Sequence, residues 1–480
     1  MKQGMIKIAK VSLVFIICVV GCSDIDYPTD VLDNNPFDMS GGTIVIDDDA
    51  EYAYSQQVSI ACNVVNAVTM QFSRDASTWS SLEAFNPTKQ WVLPLQYGQQ
   101  TIYGQFFNSR GGSIVYQDSI FYIERLLYQP ATYLGGDVAI SDDGTVVAAG
   151  SYEGNANAVY VFRKKDIDWE CTVLQPGDVQ AGDKFGFSVA LSGDGRWLFA
   201  GAPVKKAVYV FEYNDGWQLR QEITSSRASF GYDVTTDASG SYLGIVSYDG
   251  KDIRIYYDKN ANGQYQSNNA VTYVQIKPYS IVISKDGKYL CSGMCDSDNK
   301  GIVRIFPVPY FTSGYSINPD DNQVYADFGR SISVTDDAGL CVVGAPGYDI
   351  ASDDDKGCLY VYQKSGNAYT LLAQVKNTEG ANGDALGKAV AISPNGQYIG
   401  AAIPLSDDGG VDRGKVLVYK LNGTTLEYVT TYTADDRDNK CYYGNSLAIS
   451  NNGVVAIGAP FTYVSTVNDN GGVVYIRRLE

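Results

Sequence analysis

The chain has 480 residues, with 54 acidic and 36 basic side chains, a formal net charge of −18 and no His. That length exceeds one ordinary core and implies several domains or a repeat array. Such acidity disfavours nucleic acid and anionic membrane as partners and leaves cations, neutral glycans or basic proteins. The lack of His excludes Ser-His-Asp and Cys-His catalysis and imidazole-built zinc sites. Short alternating runs broken by 49 Gly and by Asp and Asn point to an all-β protein.

In chain order, Lys2, Lys7 and Lys10 open a basic start, and an apolar run from Val11 to Val20 follows. The run is too short for a stable membrane span and reads as a signal peptide over residues 1–21. Its end, Val19-Val20-Gly21-Cys22, resembles the lipobox of bacterial lipoproteins. That resemblance implies cleavage before Cys22, lipidation of Cys22, and an outer-membrane protein held by its lipid anchor. Ser23, Asp24 and Asp26 resemble the acidic surface-export tag of some such lipoproteins, which implies display on the cell surface. Residues 22–40, rich in Pro and Asp without periodicity, read as a flexible tether.

Residues 41–124 carry about seven strand candidates, among them "QQVSIACNV", "AVTMQFS" and "TIYGQFFN". That number of short strands suggests an Ig-like β-sandwich. The stretch "MQFSRDASTWSSLEAF" resembles the small Ig-like modules of secreted bacterial proteins, with Ala76 where those modules place Gly. Trp79 and Trp91 read as packing residues.

From residue 125 onward the text repeats. The phrases "LGGDVAISDDG", "FGFSVALSGDG", "FGYDVTTDASG", "YSIVISKDG", "FGRSISVTDDAG", "LGKAVAISPNG" and "YGNSLAISNNG" align. Their Gly falls at 135, 186, 231, 329, 387 and 444, with Pro278 in the fourth copy. Each copy continues into a second strand such as "WLFAGAP", a third such as "AVYVFEY" and a fourth such as "WQLRQEI". Four antiparallel strands per unit of about fifty residues is a β-propeller pattern, and seven copies predict seven blades over residues 125–480. The last copy ends after its third strand, so residues 125–131 are expected to complete the last blade.

Phe185-Gly186, Ser188-Val189 and Gly201-Ala202-Pro203 are similar to the FG-GAP repeat of integrin-α-type propellers, as are Phe328-Gly329 with Gly344-Ala345-Pro346, and Gly458-Ala459-Pro460. The resemblance implies a ligand-binding or adhesion module. Metal-binding FG-GAP repeats carry a longer Asp-rich run between the first two strands, since calcium takes six to eight oxygens. Here that span is four residues, as in Ser192–Gly195, which is hairpin chemistry. No metal is expected at these turns. Asp258, Asn260 and Asn262 fit the start of a calcium loop, but Asn269 stands where the closing Glu belongs, so this is the one candidate calcium set.

The loops after the second strands are acidic and longest in the last copies. Tyr348, Asp349, Asp353, Asp354, Asp355, Asp407, Asp408 and Asp412 are therefore the candidate ligand-binding residues of one rim, with Tyr442, Tyr443 and Tyr463 nearby. The inner strands read as small and apolar, with no carboxylate pair, Lys or Arg. The expected function is non-catalytic binding of a glycan or protein ligand without a cofactor. The alternatives are a lyase- or lactonase-type propeller enzyme using loop carboxylates, or a scaffold in a surface complex.

Overall fold

The computed structural model describes residues 37–50, 52–94, 98–126, 133–153, 157–260, 262–266, 270–274, 277–295, 300–311, 314–319, 326–350, 354–366, 368–408, 410–434, 440–464 and 469–479. Cys22 and the signal segment lie outside them, as do Asp353 and residues 127–131. The chain divides into two compact units, Met1–Glu124 and Arg125–Glu480.

In the first unit a three-stranded sheet and a five-stranded sheet share one core. Alternation in Gln57–Asn63 sends Val58, Ile60 and Cys62 inward, against Met70 and Phe72 from Thr69–Ser73. Trp91 packs on Phe72 with ring centroids 5.8 Å apart. Ala76 takes a left-handed φ of 57°, and the Asp75 carboxylate ties that turn by accepting from the backbone N–H of Ser77 and Thr78.

In the second unit, the described residues form seven four-stranded sheets. Their first strands are Val138–Ile140, Val189–Leu191, Phe230–Thr236, Lys277–Ile283, Ser331–Val334, Val390–Ile392 and Ser446–Ile449. Each first strand lies against the first strand of the next sheet, and the seventh lies against the first. The sheets therefore close around an axis as a β-propeller. The seventh takes its outermost strand from Arg125–Leu126, which pairs with Val473–Arg478. A blade sheet is apolar on both faces and must be covered on both. Phe185, Phe199, Tyr209, Phe230, Phe328 and Tyr360 are buried between sheets, and truncating such a ring to Ala costs about 3–5 kcal/mol.

The repeated motif does its work at the junctions between sheets. The phrase glycines at 135, 186, 231, 329, 387 and 444 all have φ between 85° and 92°, a region that disfavours any side chain. A Cβ on Gly201, Gly344 or Gly458 would overlap the carbonyl oxygen of Gly231, Gly387 or Gly135 in the next sheet. The motif Ser adds a latch across the same seam. Ser331 Oγ donates to Gly387 O at 2.8 Å and Ser446 Oγ to Gly135 O at 2.9 Å.

Candidate functional site

The first strand of every sheet runs from the phrase Gly to the tight turn, so the channel along the axis has a loop end and a turn end. Its walls are mainly Val, Ile, Leu and Ala, with Thr235, Thr236 and Ser333 among them and Asp142 and Lys285 at the turn end, and it encloses about 220 Å³.

At the turn end, most of the turn side chains are consumed by their own hairpins. Ser192 Oγ donates to Asp194 Oδ1 at 2.6 Å and accepts from Trp197 N at 2.9 Å, while Asp194 Oδ1 also accepts from Arg196 N. The same bonds recur for Ser284 with Asp286, Thr335 with Asp337 and Ser393 with Asn395. The turns then bond to one another around the axis. Asp142 N donates to Gly193 O, Gly193 N to Ala238 O, Ala238 N to Lys285 O, and Asn451 N back to Asp142 O. Lys285 Nζ stands 3.0 Å from Asp142 Oδ1 at this end. These turns are hairpin locks.

The loop end differs. The third residue of each phrase faces this mouth, and in the second to fourth copies it is Phe187, Tyr232 and Tyr279. Tyr152 and Tyr248, directly after the second strands of the first and third sheets, join them. Ring centroids follow at 4.8 Å from Tyr152 to Phe187, 5.0 Å to Tyr232, 4.6 Å to Tyr248 and 6.2 Å to Tyr279. All five rings are partly open to solvent. The third residues of the fifth and sixth copies are Arg330 and Lys388. The Arg330 guanidinium lies 5.3 Å from the Tyr279 ring centroid, Lys277 Nζ 4.0 Å from Tyr248, and Lys184 Nζ 5.7 Å from Phe187.

Just below the arc sit Asp137 and Asp233, at the phrase position where four of the other copies carry Ser and the sixth carries Ala389. Each carboxylate accepts from the next sheet's inner strand, Asp137 from Val189 N and Asp233 from Ile281 N, both at 2.8 Å. Ser188 between them donates to Asp233 Oδ1 at 3.1 Å. Burial raises Asp137 to about 6. Burial, with the Asp137 charge, raises Asp233 to about 7. The expectation of inner strands without a carboxylate pair is thus corrected. The signal was legible: reading the aligned phrases by column puts Asp for Ser in the first and third copies, and rings in the column before it.

The predicted rim residues do lie in loops on this end, but their groups are largely engaged. Tyr348 is a core residue, 3% exposed and packed edge-on against Tyr360, so it presents no face to a ligand. Tyr443 is buried as well. Asp349 Oδ1 accepts from the backbone N–H of Asp354 and Asp355. Asp354 is buried and accepts from Ile350 N. Asp407 accepts from Asp412 N, and Asp408 pairs with Lys415. In the candidate calcium set, Asn260 Oδ1 is spent on Asn262 N and Gln264 N, which makes the segment a hairpin. Lys259 there lies 3.4 Å above the Trp197 ring. Among the described residues, no group of three or more His, Cys, Asp or Glu is placed to hold a metal ion.

Residues 170–211 match the FG-GAP repeat family. No curated protein sequence matches the chain. The second unit is similar in fold to solved propellers. One is the β-propeller domain of Myceliophteria thermophila Cps50 (Swd1), at 12% identity and a TM-score of 0.51 over 74% of this chain and 98% of that one. Kuenenia stuttgartiensis hydrazine synthase matches at 12% identity and a TM-score of 0.52, over 73% of this chain and 98% of that one. A streptogramin B lyase matches at 11% identity and a TM-score of 0.50, over 75% and 98%. These neighbours are diverse by name, and at such identities the likeness shows the fold alone.

Proposed function

We propose that this chain is a lipid-anchored, surface-displayed lipoprotein in which an Ig-like module precedes a seven-bladed propeller that binds a glycan without catalysis. The observation that carries the reading is the arc of five half-open rings at the loop end of the channel. Aromatic rings give a sugar's C–H faces apolar contact at low entropic cost, with polar groups at the edge to orient it. A glycan array probed with the purified protein, repeated for Tyr232→Ala and Phe187→Ala, tests it. Binding that both variants weaken at least ten-fold supports the arc. Binding that survives both moves the site elsewhere.

The Asp137–Asp233 pair favours a second reading, a propeller enzyme. A carboxylic acid still protonated near neutral pH can act as a general acid. Glycan-cleaving activity lost in Asp233→Asn with binding intact would establish that reading. Both carboxylates accept backbone bonds across the sheet seams, which supports an architectural role and the non-catalytic reading.

A further inference from the structure

We infer that the glycan taken at this mouth is acidic, with a carboxylate or sulfate on its sugar gripped by Arg330 and Lys388; this rests on the glycan-binding reading above. In a chain of net charge −18, two cations in succession at the end of the arc stand out. Arg330 and Lys388 occupy the same phrase position in consecutive sheets, so their side chains extend the arc where the rings stop. Among the described residues neither makes an ion pair, and Lys184 on the arc's other flank makes none either, whereas Lys205, Arg196, Arg220, Lys285 and Lys415 elsewhere in the propeller are all paired. Lys388 feels the Arg330 charge, which the Asp327 carboxylate offsets only in part without forming an ion pair, and an oxyanion between the two cations relieves that cost.

The geometry fits such a ligand. Arg330 is anchored over the Tyr279 ring and beside the Tyr232 hydroxyl, and a guanidinium stacked in this way has donors left for a planar carboxylate or a sulfate. The arc would hold the sugar ring while the pair reads its acid. Burial raises Asp137 to about 6 and Asp233 to about 7, so both carboxyls hold most of their protons below about pH 5.5 and oppose an anion least there.

The test is a titration of the purified protein with three oligosaccharides of the same length: a neutral hexose oligomer, a hexuronate oligomer and a sulfated hexose oligomer. The expected result is at least ten-fold tighter binding of one acidic oligomer than of the neutral one. The preferred arm shows whether the group is carboxylate or sulfate. Arg330→Gln with Lys388→Gln should bring the acidic and neutral oligomers to equal affinity, with the melting temperature as a folding control. Equal affinity for all three oligomers, or a preference that survives the double variant, overturns the inference and leaves the arc reading standing. If no oligomer binds and Tyr232→Ala changes nothing on the glycan array, the arc reading itself fails and takes the inference with it.

Discussion

The two ends of the propeller channel are built from the same seven phrases and use their side chains in opposite ways. At the turn end, the paired Ser or Thr and Asp or Asn that close each tight turn, such as Ser192 with Asp194 and Ser393 with Asn395, bond within their own hairpin, and the hairpins bond to one another. At the loop end, the third phrase residue has no such task except in the seventh copy, where Asn445 Nδ2 donates to Gly136 O. There the copies diverge into rings on one arc and cations on the next. Repetition constrains a position only when the local backbone needs its side chain, and function can diversify where it does not.

The sharpest way to break this contrast is at the seams. Gly344→Ala places a Cβ into the Gly387 carbonyl, where only backbone can yield. We expect a loss of about 3 kcal/mol or more in urea denaturation. A loss below 1 kcal/mol would show that the sheets are less tightly joined than the motif implies.

At the turn end, Ser192→Ala removes a buried hydroxyl that both donates to Asp194 and accepts from Trp197 N. Its expected cost is about 1–2 kcal/mol, with glycan affinity unchanged. A change in affinity would mean that the turn end takes part in binding.

The carboxylate pair at the loop end gives a pH signature. Asp137 and Asp233 are raised above their unfolded values, so the native state keeps protons that the unfolded state releases. Their stabilisation is fully present below the ordinary carboxylate range and is lost as pH rises through about 6 and about 7. The melting temperature should fall between pH 5 and 7.5, by about 1 kcal/mol of stability once the partial exposure of the two groups is allowed for. Asp233→Asn should flatten that slope, and an unaltered slope would place its origin elsewhere.

Calcium should have the smallest effect. With Asp194, Asp286 and Asp337 already bonded in their turns and no group of three acidic residues placed to hold a metal ion among the described residues, millimolar calcium should leave the melting temperature within about 1 °C. A shift of several degrees, equivalent to a bound ligand well above its Kd, would show that a loop holds the ion after all.

Much of the architecture was legible in the chain. The aligned Gly positions, the Gly-Ala-Pro ends and the Ser-x-Asp-Gly turns mark backbone conformations that few other residues tolerate, and the seven sheets follow those marks. The short spacing of Ser192–Gly195 already pointed to a turn. The functional surface was harder to read. Acidic loops such as Asp349–Asp355 and Asp407–Asp412 look like a binding rim in a linear text, yet Asp349 and Asp407 fold back onto their own backbone. Tyr348 sits in a polar loop but turns into the core.

By itself, then, the sequence determined the all-β repeat, the number of phrases and the hairpin chemistry of the turns, because each depends on residues adjacent in the chain. Only the tertiary structure decided that Tyr152, Phe187, Tyr232, Tyr248 and Tyr279 form one arc, that Arg330 and Lys388 continue it, and that Asp137 and Asp233 share Ser188. Those residues stand about fifty positions apart or come from different strands, and they meet only because closing the ring brings one position of every sheet to the same axis.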